Sequence, residues 1–248
     1  MNPDYTNIAY LLAAVLFVVA LKRMASPRTA RTGNLIGAAG MCIAIVVTLL
    51  AKDPYGAFRV HGAGWTFVII AGLIGTAIGA FLALTVKMTA MPQMVAMFNG
   101  FGGLASGLVA LAEIWKTPQP GTYLATTVGI TTLIGWVTFT GSLVAFARLQ
   151  EFVLSGRPTV FPFQKAANFA SLAVVVALIV LLGLFPSQRW LVIPIAVIAC
   201  GVGVMFTVPI GGADMPVVIS LLNSYSGLAA CAAGFVLRNP CLVYTSPS

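Results

Sequence analysis

Apolar residues form eight long runs along the chain, separated by short segments that contain Lys, Arg, Pro or Gly. A helix that crosses the hydrocarbon core of a bilayer needs about 20 mostly apolar residues. No run shows the sustained alternation with turn signals that is typical of membrane strands. The predicted fold class is therefore all-α, a polytopic transmembrane helical bundle of about eight spans. The predicted spans are 5–24, 34–51, 64–86, 92–114, 122–149, 166–185, 190–210 and 215–237.

Three of these spans carry small or polar residues at alternating spacings of three and four, which places each set on one helical face. The stripes are Asn99, Gly103, Ser106, Ala110 and Glu113 in the fourth span, Thr131, Gly135, Thr138, Ser142 and Ala145 in the fifth, and Ser220, Asn223, Gly227, Ala230 and Gly234 in the eighth. Two interpretations stay open. Small residues let helix backbones pack closely, or the three stripes share a polar interior that hydrates a route for a proton or small ion. The first three spans are more uniformly apolar, and we expect them to be peripheral.

The composition supports a membrane protein and changes the meaning of the positive charge. The chain is 60% hydrophobic and 7% charged, with a formal net charge of +8. A soluble domain has about a quarter charged residues. The Lys and Arg residues lie in short loops, so we interpret them as topology signals and contacts to anionic lipid headgroups, not as a nucleic-acid surface. The loops after odd-numbered spans hold eight of the 13 basic residues, which predicts that these loops lie inside and the N-terminus outside.

Other chemical motifs are weak. The single histidine, His61, has no clustered second ligand, so a metal site is not predicted. Glycines at 100–103 and 201–203 superficially resemble a dinucleotide fingerprint, but both sets lie inside apolar spans and neither follows a strand. Most of the cysteines lie in apolar runs, and we interpret all of them as small hydrophobic residues. They are Cys42, Cys200, Cys231 and Cys241.

The stretch 211–227, GGADMPVVISLLNSYSG, places an acid at the mouth of the eighth span and an amide within it. Asp214 precedes Pro216, and Pro favours the first helical turn, so Asp214 is predicted to cap this helix. A second reading makes Asp214 a charge at the cytoplasmic mouth of the polar interior, and the two readings are compatible. Asn223 lies within the span, where a polar side chain costs free energy unless it has a partner or water.

This stretch closely resembles the membrane domain of the beta subunit of proton-translocating NAD(P) transhydrogenase. Further similar motifs are TFTGS at 138–142 followed by VAF at 144–146, MTAMPQ at 88–93, and RTGN at 31–34. The resemblance covers about residues 5 to 237 in the family's order. It implies a transmembrane proton-translocating domain over residues 1–237.

The resemblance implies an inner-membrane enzyme that transfers hydride from NADH to NADP⁺ and couples the transfer to proton translocation. NAD would bind a domain of a partner alpha subunit, and NADP would bind a C-terminal domain of the beta chain. Neither cofactor would bind residues 1–237, and the beta chains would also assemble with one another. The family's membrane Asn, its junction acid and its motif Ser correspond to Asn223, Asp214 and Ser142.

Two departures from the family pattern are visible. Some members carry a titratable His where this chain has Asn99, and an amide cannot exchange a proton at physiological pH. Residues 238–248 replace an expected ninth span and nucleotide-binding domain, and we interpret this tail as a non-family artefact. A chain without both nucleotide domains would be inactive alone. The alternatives are a small secondary transporter or channel for an ion or solute, and a purely structural membrane subunit.

Overall fold

The structure is a computed structural model that describes residues 3–51, 60, 62–151, 160 and 162–237. The described residues form helices α1 to α8 and no strand, which confirms the all-α prediction. All eight are long and apolar enough to cross a membrane, with α7 counted together with the 3₁₀ turn before it. Their bounds are Pro3–Met24, Ala30–Leu50, Ala63–Thr85, Met91–Lys116, Thr122–Leu149, Gln164–Leu184, Val192–Thr207 and Met215–Val236. Short 3₁₀ turns at Met88–Ala90, Arg189–Leu191 and Gly212–Asp214 precede α4, α7 and α8.

The seventh helix is shorter than its predicted span, because regular helix ends at Thr207 and not at residue 210. Pro209 follows, and a proline has no backbone N–H to donate to the preceding turn. Gly211 is extended, with φ −70° and ψ 159°, and the 3₁₀ turn Gly212–Asp214 then leads into α8. The result is a six-residue connection, 208–213, that ends beside Asp214.

The chain divides into two compact units, Met1–Lys87 and Met88–Ser248. In the first unit α1 packs along α2. Gly40 of α2 permits this approach, because a Cβ there would lie 3.3 Å from the Ala13 carbonyl oxygen. A hydrogen bond of 3.1 Å joins the Tyr10 and Thr48 hydroxyls across the pair. None of the described residues of α3 is buried.

The second unit is organised around α5, which contacts α4, α6, α7 and α8. Two buried apolar clusters fill the space around it. One cluster lies towards the α4–α5 connection and includes Ile114, Val128, Val175, Leu182 and Ile195. The other lies towards the start of α8 and consists of Ala96, Ala145, Met215, Val218, Ile219 and Leu222. We refer to the two ends of this unit as the Trp190 end and the Asp214 end, after residues in the connections that lie there.

Candidate functional site in the second unit

The α4 and α5 stripes meet along one seam, where the two backbones come into direct contact. A Cβ on Gly103 would lie 2.8 Å from the Gly135 carbonyl oxygen, and a Cβ on Gly135 would lie 2.7 Å from the Gly103 carbonyl oxygen. Side chains larger than hydrogen would therefore force the helices apart. From α4, the seam contains Asn99, Gly103, Ser106 and Ala110, all buried; from α5, it contains Thr131, Gly135, Thr138, Ser142 and Ala145, also all buried. Glu113 is half-buried.

One hydrogen bond between side chains crosses this seam within the described residues. The Asn99 amide nitrogen Nδ2 donates to the Ser142 hydroxyl oxygen Oγ at 2.9 Å. Asn99 is 7% exposed and Ser142 is 1% exposed. The Asn99 carbonyl oxygen Oδ1 is buried without a hydrogen-bond donor among the described residues. A buried amide oxygen without a donor is costly, and an ordered water is the usual partner of such an atom.

The other hydroxyls on the seam bond within their own helices. Thr138 Oγ1 donates to the Ile134 carbonyl oxygen at 2.7 Å, and Ser106 Oγ donates to the Gly102 carbonyl oxygen at 3.1 Å. Such bonds to the preceding turn satisfy the hydroxyl without a partner from another helix. They give these residues a packing role, so the two interpretations of the stripes apply to different residues of the same seam.

The spacing of the α8 stripe suggests that all of its residues face the seam, but its polar residues do not. Asn223 and Ser220 are exposed, and no hydrogen bond joins Asn223 to the Asn99–Ser142 pair in the described part of the chain. The face of α8 that packs inward contains Met215, Val218, Ile219 and Leu222. One residue turns a helix by about 100 degrees, so burial of Leu222 carries the adjacent Asn223 towards the surface of this unit. The structure thus brings Asn99 and Ser142 together and leaves Asn223 apart from them.

Asp214 is exposed and occupies the position before the first turn of α8, but its predicted cap is not formed. Its backbone has φ −93° and ψ −1° and its side chain makes no capping hydrogen bond. A capping side chain reaches the first-turn N–H groups from an extended backbone, and this backbone is in the helical region. The carboxylate is therefore available to other groups at this end of the unit.

Three hydrogen bonds join helix ends near Asp214. Their donors are side chains that the sequence pattern did not indicate. Arg148 of α5 donates from Nη2 to the Val208 carbonyl oxygen. Gln164 of α6 donates from Nε2 to the Met205 carbonyl oxygen at 2.7 Å. Gln93 of α4 donates from Nε2 to a carbonyl at the end of α5, that of Leu149, at 3.3 Å. We call Gln93, Arg148 and Gln164 the Asp214-end ties.

The sequence predicts Arg148 only as a topology signal, yet it is 1% exposed. A charged side chain is almost never fully buried unless it has partners. The sequence does carry a weak signal for this, because Arg148 lies three residues after Ala145 and so continues the buried side of α5.

The opposite end has its own tie. Arg189 donates from Nη2 to the Pro118 carbonyl oxygen, which joins the α6–α7 connection to the α4–α5 connection. The rings of Trp115 and Trp190 meet edge to face there, with centroids 4.7 Å apart. Trp is enriched at membrane–water interfaces, so this end has the composition of a bilayer boundary.

Two of the glycines that resemble a dinucleotide fingerprint, Gly100 and Gly203, are packing positions. The place of a Cβ on Gly100 is 3.1 Å from Ser142 Cβ, and a Cβ on Gly203 would meet Thr140 and the Val137 carbonyl. Both positions are therefore occupied by close contacts between neighbouring helices.

No group of three potential metal ligands occurs in the part of the chain that the structure describes. His61 and Cys241 lie outside the described residues. Cys42, Cys200 and Cys231 are free thiols.

Comparisons with known proteins place this sequence in a family. The sequence profile described as NAD(P) transhydrogenase beta subunit matches residues 6–246, and so extends past the predicted boundary at residue 237. Two curated relatives, both named NAD(P) transhydrogenase subunit beta and both from Rhodospirillum rubrum, are 38% identical over 251 residues. The alignment covers 98% of this chain and 52% of each relative, so the chain spans about half of their length. The chain belongs to the NAD(P) transhydrogenase beta subunit family.

Proposed function

We propose that this chain is the membrane part of an NAD(P) transhydrogenase, in which hydride transfer from NADH to NADP⁺ is coupled to proton translocation. Family membership supports the assignment, as do eight helices of the described residues that are long and apolar enough to cross a membrane. The observation that carries the proton-translocating role is the buried Asn99–Ser142 pair, with an amide oxygen that lacks a donor.

The pair can relay a proton only through water, because neither side chain titrates near neutral pH. A water that donates to Asn99 Oδ1 would satisfy the buried oxygen. It would also extend the hydrogen-bonded chain, which would then run from Ser142 through Asn99 to the water. In this proposal Asn99 and Ser142 orient the water, and a titratable group elsewhere in the complex exchanges the proton. Asp214 is the proposed charge at the cytoplasmic mouth of the route.

The proposed complex contains further parts. NADP and NAD bind domains outside residues 1–237, and an alpha subunit supplies helices that cover the exposed Asn223 face. Beta chains assemble with one another in the inner membrane, with the N-terminus outside. Exposed Asn223 supports a partner helix, because a polar side chain within a span is stabilised by interhelical hydrogen bonds.

The test compares Ser142→Ala with Ser106→Ala in the complete beta chain, assembled with its alpha chain and reconstituted in liposomes. Both serines are buried on the seam, but only Ser142 bonds across it. Loss of one hydrogen bond corresponds to about 1 kcal/mol, so we expect Ser142→Ala to lower proton uptake per hydride transferred about fivefold. Ser106→Ala should leave this ratio unchanged.

Proton uptake is read with a pH-sensitive dye and hydride transfer with the absorbance of a nucleotide analogue. If both variants show the same proton uptake per hydride transferred, the Asn99–Ser142 pair is not part of the proton route. Nucleotide-independent uptake of a solute by the wild-type assembly would instead favour the transporter alternative.

A further inference from the structure

Arg148, one of the Asp214-end ties, links the helix that carries Ser142 to the connection before α8. Ser142 and Arg148 lie on the same helix, six residues apart, which is about 9 Å along the axis. Arg148 in turn bonds the carbonyl of Val208, the first residue of the connection that leads to Asp214. The path from the Asn99–Ser142 bond to the Asp214 connection therefore consists of one continuous helix and one hydrogen bond.

The hydrogen bonds at this end also explain why Arg148 is buried. The C-terminal carbonyls of α7 lack intrahelical partners and carry partial negative charge, which a cation stabilises. Arg148 supplies a charged donor from α5, and Gln164 supplies a neutral donor from α6 to the Met205 carbonyl oxygen one turn earlier. Two neighbouring helices thus hold the end of α7, and the connection beyond it leads through the 3₁₀ turn Gly212–Asp214 into α8.

From this arrangement we infer that Arg148 is a positioning residue that couples the proton site to the Asp214 connection. The inference rests on the proposed function. When the connection moves, Arg148 transmits the displacement to α5 and so to Ser142. When the Asn99–Ser142 bond rearranges, a displacement of α5 passes through Arg148 to the connection before Asp214. Neither the family match nor the stripe pattern assigns Arg148 such a role.

The second unit offers a matched control at its other end. Arg189 also donates from Nη2 to a main-chain carbonyl in a connection, that of Pro118. It differs in position, because it lies at the Trp190 end, away from Asp214. If arginine–carbonyl ties only hold helix ends together, Arg148→Gln and Arg189→Gln should have the same consequences.

The first measurement reports on the connection itself and needs no proton transport. A nitroxide is placed at the exposed position 213 by Ala213→Cys in a chain whose native cysteines are replaced by alanine. Arg148→Gln should increase the mobility of this label in the electron paramagnetic resonance spectrum, and Gln164→Ala should increase it less. Arg189→Gln should leave it unchanged. An unchanged label in Arg148→Gln would overturn the inference even if the proposed function is correct.

The second measurement is the number of protons translocated per hydride in the complete reconstituted complex. Mutations that lie between two coupled sites change such coupling by about twofold to thirtyfold. We expect Arg148→Gln to lower the ratio about threefold or more, Arg148→Lys to restore part of it, and Arg189→Gln to leave it at the wild-type value.

Equal ratios in Arg148→Gln and Arg189→Gln would show a tie that is only structural and would overturn the inference. If Arg148→Gln does not assemble, Arg148→Lys and Gln164→Ala are measured in its place. A wild-type number of protons per hydride in both variants would overturn the inference. A wild-type complex that transfers hydride without proton movement would refute the proposed function, while the label at position 213 would still decide whether Arg148 holds the connection.

Discussion

The α4 and α8 stripes have similar residue spacings but very different surroundings. On α4 the stripe lies against α5, and Asn99 is 7% exposed. On α8 the equivalent amide, Asn223, is exposed, and the adjacent Leu222 is buried instead. The contrast shows that a stripe of small and polar residues identifies a face of a helix and leaves the partner of that face undetermined.

The physical difference between the two helices is the shape of the opposing surface. Opposite Gly103, α5 presents Gly135, so the two backbones can touch along the seam. Apolar burial gives little driving force between helices in lipid, and close van der Waals fit decides which faces meet. On α8, Val218 and Leu222 pack into the cluster that contains Ala145. Ser220 and Asn223 of the stripe are exposed, while its Gly227 and Gly234 are buried.

Among the substitutions that test the contrast between the two stripes, Gly103→Ala is expected to change the free energy of unfolding most. The added Cβ would lie 2.8 Å from both the Gly135 carbonyl oxygen and Thr138 Cβ, so the helices must separate. Overpacking of this kind costs about 1–3 kcal/mol of the free energy of unfolding. Unfolding in mixed micelles with increasing dodecyl sulfate measures the change. Gly201→Ala is the control, because its Cβ would meet nothing within 4 Å; an equal loss in the control would show that the seam is not tightly packed.

A smaller effect is expected from Asn99→Ala, which removes the hydrogen bond to Ser142. Interhelical hydrogen bonds in membrane proteins average about 0.6 kcal/mol in double-mutant cycles, and we expect that coupling between Asn99→Ala and Ser142→Ala. Asn223→Ala in the same 248-residue chain should change the free energy of unfolding by less than about 0.5 kcal/mol, as at exposed sites. The same unfolding titration in mixed micelles measures both changes. A loss for Asn223→Ala as large as that for Asn99→Ala would contradict the contrast between the stripes.

The smallest effect is expected from Thr138→Val, on the buried side of the seam. Its hydroxyl bonds to the Ile134 carbonyl within α5, so its removal breaks no interhelical bond. The replacement has a similar shape, and the expected change is within about 0.5 kcal/mol. If the loss in the unfolding titration exceeds 1 kcal/mol, as in overpacking or cavity formation, then polar residues of the seam stabilise it in ways that the Asn99–Ser142 bond does not capture.

Much of the fold was predictable because its signals are local. An apolar run of about 20 residues determines a span whatever its neighbours are, and the helical period places Asn99, Gly103 and Ser106 on one face. The candidate pair is predictable in part, since Asn99 and Ser142 are both polar residues within apolar spans. The predicted cap at Asp214 failed because it depends on a backbone angle that the residue type does not determine.

The sequence by itself determined the number of spans, the stripes on α4, α5 and α8, and the polar residues that membrane burial makes costly. Only the tertiary structure decided that Asn99 meets Ser142, 43 residues away, that Arg148 reaches the Val208 carbonyl across 60 residues, and that Asn223 stays on the surface of its unit. The physical reason is that helix formation depends on neighbours within about four residues. Contacts between helices depend instead on which complementary faces approach, and that choice involves both surfaces at once.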